Sequence, residues 1–449
     1  MFNHPQRMAW ATLGTAFLVL CFACVGSITL IRYALFEFPM DLNTTVFVGR
    51  GTVGVVFVND NRETNVGGSI GTSESVGSGD RIRVDELSQG SLVIADPINA
   101  DNAIVTVQLM GGSQFRLRKA TRPRFLGDTP FVIRMSDVVG ELEVVISTQL
   151  ERDIRMELEG GGQTIRLDHG GQYLITVRQD ELRVEVREGE ALLLDNNNRG
   201  TLVKHGELGI ANQNGISVDV ANALPDNLVN NNTFDEEGAS PRSANVWGCN
   251  FKPSEVLDID GIFERVFYDG RNTMHFERLA DRDVFPGETR CFERLDVNVE
   301  DYEELYIRVS LYIAEHSLPR CGQLGTECPL MLRMRYQNAD QRDAGEGARS
   351  DWVHGFYSHD NGAPTSWPLR CSACDGDHDR VNQGTWYTYI SQDFIGGLSA
   401  DHQGLRPIEI YEIEFYAGGH KYEVYVGEVS ILGRRANGQV EDIVGISLD

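Results

Sequence analysis

Lysine is nearly absent from this 449-residue chain: there are 4, against 36 arginines. Basic residues number 40 against 66 acidic ones, for a formal net charge of -26. A negative surplus of that size excludes a generic binder of the phosphate backbone, which needs clustered basic side chains, so no nucleic-acid partner is expected. Proline is scarce at 14 residues while glycine is plentiful at 47, a balance that suits many strands joined by tight turns. No zinc-protease H-E-x-x-H and no phosphate-loop sequence occurs. The glycine-rich turns are each followed by another strand rather than a helix, so they read as hairpin turns. Hydrophobic residues at 41% and aromatics at 9% suffice for packed cores and exclude a disordered chain.

One long apolar run is present. Residues Ala9 to Ile31 carry no charged side chain and are bracketed by Arg7 and Arg32. As a helix, 23 residues rise about 34 Å, enough to cross a hydrocarbon core about 30 Å thick. A cleaved signal peptide would have a shorter apolar core, although Ala23 to Ser27 offers small residues for cleavage. The expectation is a single transmembrane helix over 9–31 with a cytoplasmic tail over 1–8. Glu37 and Asp41 follow the span, and the positive-inside rule then places the N-terminus in the cytoplasm and the bulk of the chain outside the cell membrane.

Cysteine usage agrees with export. Cys21 and Cys24 sit in the span; the other six, Cys249, Cys291, Cys321, Cys328, Cys371 and Cys374, all lie in the C-terminal half. An even number confined to one region of an exported chain reads as disulfides. The spacing leaves open whether Cys321, Cys328, Cys371 and Cys374 bridge within or between their two pairs, or form a four-cysteine zinc site. If they bridge, Cys249 and Cys291 pair by exclusion.

From about Thr45 to Val220 short segments alternate polar and apolar residues with period two, as in Arg81 to Val84, Ile104 to Leu109 and Leu182 to Val186. That is the signature of half-buried strands, with no sustained helical period, and the expectation is an all-β domain over 45–220, a sandwich or short β-roll. The strand ending Glu188-Gly189-Glu190, the short strand after it, and the turn His205-Gly206-Glu207 resemble the ferric-citrate regulator (FecR) domain family. Gly79-Asp80-Arg81-Ile82 resembles that family's opening strand, and the likeness runs over roughly 70–212. The resemblance implies an exported β domain of envelope proteins. The family's regulators also carry a cytoplasmic helical segment that contacts a sigma factor; with about eight residues before the span, that role is not expected here.

Residues 221–226 read as a linker. Asn227 to Asp235 (NLVNNNTFD) then resembles the opening strand of galactose-binding-like β-sandwiches used as carbohydrate-binding modules, and Tyr425 to Ile431 resembles their closing strand. This implies a jelly-roll domain over 226–433, followed by a tail over 434–449. Leu305, Ile307, Val309, Leu311 and Ile313 alternate with Tyr306, Arg308, Ser310 and Tyr312. Likewise Leu330, Leu332, Met334 and Tyr336 alternate with Met331, Arg333 and Arg335. One set of each should face the core and the other should face away.

Sugar sites pair aromatic faces with a few planar polar groups. Trp247, Trp352, Trp367 and Trp386 supply the first type, and Arg308, Arg333, Arg335, His354 and Tyr357 are the candidate ligand-binding residues. The competing reading packs the tryptophans in the core and pairs the arginines with acids. The family often holds a structural calcium between its first and last strands, which by position implies Asp235 and Glu428, with Glu replacing the usual Asp. The Asp375-Gly376-Asp377-His378-Asp379 run is a second oxygen-rich candidate. No other cofactor is expected.

These readings converge on a non-enzymatic, single-pass envelope protein whose exported β domains bind a glycan or another envelope component. The alternative is a structural subunit docking onto protein partners, and a glycosidase, which needs a defined pair of carboxyls, is the weakest reading.

Overall fold

The computed structural model describes residues 5–33, 38–58, 60–67, 72–98, 103–123, 129–195, 199–219, 225–234, 247–253, 261–279, 286–342, 348–396 and 405–435. Asp235, the linker residues 221–224, residues 196–198 and the tail from 436 lie outside them.

The chain is all-β apart from one long N-terminal helix, Pro5–Arg32, and two short helical turns among the described residues. From Met8 to Arg32 the helix is long and apolar enough to cross a membrane, and none of its most apolar window is buried against the protein.

Strands from Pro39–Asp41 to Gly215–Asp219 form one closed, barrel-like system built mostly from sequential hairpins. The long strand Phe131–Ile146 serves two parts of it. Its first half pairs with Gln114–Pro123 and Ile154–Gly160, its second with Ala103–Leu109 and Gly171–Arg178. The bend falls between Ser136 and Val139, where the register shifts and Asp137 adopts φ 55°. Alternating side chains such as Val46, Val55, Ile82, Val107, Leu158 and Val184 fill a single core.

The C-terminal region is a two-sheet jelly roll. One sheet runs Ile262–Tyr268, Arg271–Leu279, Lys421–Arg435, Tyr302–His316, Trp386–Ile390, with Asp226–Asn227 also paired to Lys421–Arg435. The other runs Gly248–Pro253, Gly287–Asn298, Pro407–Gly419, Leu330–Asn338, Ser350–Tyr357, Asp379–Arg380. The expected alternation holds: Leu305, Ile307, Val309, Leu311, Ile313, Leu330, Leu332 and Met334 are all fully buried between the sheets.

The cysteines join as Cys249–Cys291, Cys321–Cys328 and Cys371–Cys374. The first ties directly opposed residues on neighbouring strands. The other two close loops beside Met331, Val353 and Tyr357 on the outer side of the second sheet.

The outward face of the first sheet is not free. It packs on the N-terminal β region, which explains why the alternation of Ile104 to Leu109 does not produce a solvent face: every residue of that strand is buried. Gln108 donates to the backbone carbonyl of Trp386 (3.0 Å), and the Gln89 amide grips Thr388 through both its carbonyl (2.9 Å) and its N–H (3.3 Å). Gln89 thereby covers the exposed edge of an edge strand, the position most open to unwanted pairing. Close approach is needed here: a Cβ at Gly49 would stand 3.2 Å from the Trp386 carbonyl oxygen.

Candidate functional site

The candidate residues of the sequence separate onto three surfaces. Arg308, expected on an open face, is buried where the two β regions meet. Its Nη2 donates to Glu143 Oε2 (2.6 Å) and its Nε lies 3.4 Å from Glu428 Oε2. Arg187 joins the group through Glu428 (3.2 Å) and Glu185 (2.9 Å). Glu428, expected as a calcium ligand, is therefore already engaged by two guanidinium groups, which repel a divalent cation; its expected partner Asp235 lies outside the described residues. Burial alone would raise the Glu143 carboxyl, but Arg308, Arg187 and Arg271 outweigh it and hold the group below the ordinary carboxylate range.

Arg333 and Arg335 stand on the outward face of the second sheet, each opposite an acid: Arg333 bonds Glu414, and Arg335 bonds Asp351 (3.0 Å) and approaches Glu412 (3.5 Å). Tyr357 is buried on that same side among Cys321, Cys328 and Met331. His354 is three residues away on the same strand and so points to the opposite face, toward the space between the sheets. The structure does not bring these candidates together.

It brings His354 together with residues that had been placed elsewhere. Where strand Ser350–Tyr357, which the short edge strand Asp379–Arg380 covers only at its C-terminal end, faces the edge strand Trp386–Ile390 of the other sheet, the sandwich opens into a cavity of about 330 Å³. Period-two alternation puts Trp352, His354 and Phe356 on the inner side of one strand, and Tyr387 and Tyr389 on the inner side of the other. Three rings lie near parallel: Trp352 and His354 (centroids 5.9 Å apart, 12°), then His354 and Tyr389 (4.6 Å, 15°). Phe394 meets Trp352 edge-on at 5.3 Å.

Acids complete the cavity. Asp375 Oδ2 accepts from the Trp352 indole (2.8 Å) and so fixes that ring. Asp393 spends its oxygens on the backbone N–H groups of Leu305, Ile395 and Gly396. Asp379 is bonded by Arg50 of the N-terminal region (2.9 Å) and by the Tyr387 hydroxyl (3.2 Å). Burial opposes its ionisation, yet His354, Arg50 and Tyr387 together hold it below the usual carboxylate range. Asn382, on the same segment, is held by the backbone of Val48 and Gly49. The N-terminal region thus buttresses one wall of the cavity.

The Asp375–Asp379 run does not gather its carboxylates as a calcium loop would. Among the described residues, the single set of three or more metal-ligand atoms within 4.8 Å of one another is Cys321, Cys328 and His378. With the two sulfurs joined to each other, that set lacks thiolates. A G-x-S-x-G sequence occurs at Gly67–Gly71. It connects strand Arg62–Val66 to strand Ser73–Ser75, whereas a nucleophile elbow leads from strand to helix; residues 68–71 lie outside the described ones.

Tyr389 and Asp393 were missed from sequence. Tyr389 was legible in principle, as the inner-facing partner of Tyr387; Asp393 gives no local signal.

No family model matches the chain, and no curated protein matches it. Among solved structures, the chain is similar to a candidate anti-sigma factor from Parabacteroides distasonis at 17% identity and a TM-score of 0.24. That match covers 32% of this chain and 60% of the other, so the chain spans less than two thirds of that protein. A family 11 carbohydrate-binding module of a Clostridium thermocellum cellulase matches at 10% identity over 46% of this chain and 95% of its own, with a TM-score of 0.25. The CBM22-1 xylan-binding domain from Paenibacillus barcinonensis matches at 10% identity over 48% and 99%, with a TM-score of 0.26. Likenesses this distant carry no argument about what this chain binds.

Proposed function

We propose that this chain is a single-pass, membrane-anchored envelope protein that binds a glycan without transforming it, its N-terminus in the cytoplasm and its β regions outside. The observation that carries the reading is the cavity between Ser350–Tyr357 and Trp386–Ile390, which combines ring faces with hydrogen-bonding groups. A pyranose presents an apolar face to the former and hydroxyls to the latter. Its volume sits at the low end of small-molecule pockets, roughly 300–1,000 Å³, and suits one or two sugar units. The apolar helix Met8–Arg32 supports the anchor, and the three disulfides support an oxidising surrounding. The commitments of Asp379 to Arg50 and of Asp393 to backbone N–H groups favour binding over catalysis, because a glycosidase needs two carboxyls free to act.

The test is a glycan array probed with the full chain in detergent, followed by titration of any hit against Tyr389→Ala. The expected result is binding by the wild type and at least tenfold weaker binding by the variant. Binding unaffected by Tyr389→Ala would move the site elsewhere. Capture of no glycan, with crosslinking to a membrane protein, would favour the docking-subunit reading.

A further inference from the structure

A second constellation lies outside the cavity, on the outer side of the second sheet. Cys321, Cys328 and His378 are each no more than 5% exposed, and their donor atoms lie within 4.8 Å of one another. His378 is already oriented. Its Nε2 stands 2.8 Å from the Gly325 carbonyl oxygen, which can only accept, so Nε2 carries the proton and Nδ1 keeps its lone pair. Nδ1 is buried and has no hydrogen-bond partner among the described residues, which is costly unless a bound group satisfies it. Metal-binding histidines donate their other ring N–H in this way, to a backbone carbonyl or a carboxylate. Gly355 supplies the room. It sits inside strand Ser350–Tyr357 without a positive φ, so its backbone does not call for glycine. Its surroundings do: a Cβ there would stand 2.6 Å from Cys328 Sγ and 2.7 Å from His378 Nδ1. Glycine inside a strand marks such a close approach. The scaffold does not depend on the Cys321–Cys328 bond. The Glu327 N–H donates to the Cys321 carbonyl (2.9 Å), the Gly418 N–H to the Cys328 carbonyl (2.8 Å) and the His378 N–H to the Leu369 carbonyl (2.8 Å).

From this juxtaposition of two sulfurs, an unpaired imidazole nitrogen and a space kept open by glycine, we infer that the dithiol form of the chain holds a zinc ion on Cys321, Cys328 and His378 Nδ1. Zinc binding and the Cys321–Cys328 bridge then exclude each other. The inference is independent of the glycan reading. Two thiolates and an imidazole suit zinc rather than calcium or magnesium, and they leave the fourth tetrahedral position to water. Cys371 and Cys374 are not needed and keep their own bridge. Every new chain begins with thiols, so the site exists before the bridge closes. The bridge reopens by exchange with a dithiol reductant: the S–S bond breaks, the two sulfurs gain two electrons and two protons, and the reductant leaves as a disulfide. Zinc then displaces the two protons as it binds the thiolates. Closure reverses this: a disulfide oxidant takes the two electrons and leaves as a dithiol, and zinc is released.

The experiment titrates Co²⁺, a spectroscopic stand-in for zinc, into the full chain in detergent, kept in a phosphine reductant that does not itself supply thiols. The expected result is one Co²⁺ per chain, with the thiolate charge-transfer and strong visible bands of a tetrahedral site, displaced by Zn²⁺ and absent from the oxidised chain. His378→Ala should weaken binding at least tenfold, and Cys321→Ser/Cys328→Ser should abolish the bands. Cys371→Ser/Cys374→Ser should retain them. No such bands in the reduced wild type, bands unchanged by His378→Ala or by Cys321→Ser/Cys328→Ser, or bands lost with Cys371→Ser/Cys374→Ser overturns the inference. A measurement on the wild type alone separates ligation from folding defects in the variants. Zn²⁺ should slow alkylation of Cys321 and Cys328 in the reduced chain at least tenfold and leave Cys249 and Cys291 at their metal-free rates. Equal protection of all four, or of none, overturns it as well.

Discussion

On one outer face of the C-terminal sandwich, Arg308 and Glu428 are sealed against Glu143 and Arg187, with side-chain exposures of 2–4% for the first three named acids and bases. On the other, Arg333 and Arg335 keep 26% and 33% of their side chains exposed over Glu414, Asp351 and Glu412. Both faces use arginine against carboxylate, and both began as the polar half of a period-two strand. What separates them is what lies on top. The first face was covered by the N-terminal β region, so its charges had to be matched across the junction. The second faces water, which does most of the screening. A covered ion group mainly fixes how two bodies fit, while an exposed ladder contributes little stability.

The largest expected effect comes from unpairing the covered group. Glu143→Ala leaves Arg308 buried with only Glu428 nearby, and Glu428 must already serve Arg187. Removing one partner of a buried pair costs about 3–5 kcal/mol. The shift in urea midpoint of the full chain in detergent measures it. A loss below about 1 kcal/mol would mean that water reaches the junction and that the two faces are not different in kind.

Acid sharpens the contrast at smaller scale. The Glu143 carboxyl is depressed, so its contribution is present above the unfolded carboxylate value and is lost only as pH falls through the depressed one. Between pH 7 and 5 it should add no slope. His316 is buried too, but faces Ser358 and His359 rather than an acid. Burial first, and the neighbouring His359 second, push its pKa down to about 3. The unfolded chain, titrating near 6.5, then binds the extra proton. Stability should fall as pH drops below about 6.5, by roughly 2 kcal/mol at pH 5. His316→Gln should flatten that part of the stability profile; superimposable profiles of wild type and variant would refute the assignment.

Much of this architecture was legible because period two is a local signal. The core-facing sets Leu305 to Ile313 and Leu330 to Tyr336 could be read directly, and so could the apolar span. Parity also carried information that was not used: His354 and Tyr357 differ by an odd number and could not share a face. The cover over Arg308 was not legible. Gln108, Gln89 and Glu143 look like ordinary solvent-facing polar residues in their own strands. They are recruited only when a second domain, 165 to 299 positions away, lies against them. The cavity was hidden for the same reason. It joins Trp352, Asp375 and Tyr389 across the open edges of two sheets, and no spacing rule links edges of different sheets.

The smallest effects lie on the open face, and they can be ranked. Arg335 sits between Asp351 and Glu412, both reachable by water, so Arg335→Ala should cost well under 1 kcal/mol, as exposed pairs do. Arg333 differs because its partner does: the Glu414 side chain is 2% exposed. Burial outweighs Arg333 and Arg290 and leaves the Glu414 carboxyl above its ordinary range. For a raised carboxyl, the favourable contribution is present below the unfolded value and is lost as pH rises through the folded one. Ionisation of Glu414 is thus tolerated rather than stabilising. Arg333→Ala removes its nearest cation and should cost about 1 kcal/mol or somewhat more. Glu414→Gln should be neutral or stabilising, and should suppress most of the Arg333→Ala loss in the double variant. That sign is opposite to the one expected for Glu143, although both acids are almost fully buried beside arginine. The difference follows from the number of cations that face each carboxylate and from whether those cations are themselves shielded. Urea midpoints at pH 7 for the four proteins decide it: a strongly destabilising Glu414→Gln would show the open-face ladder to be as structural as the covered one.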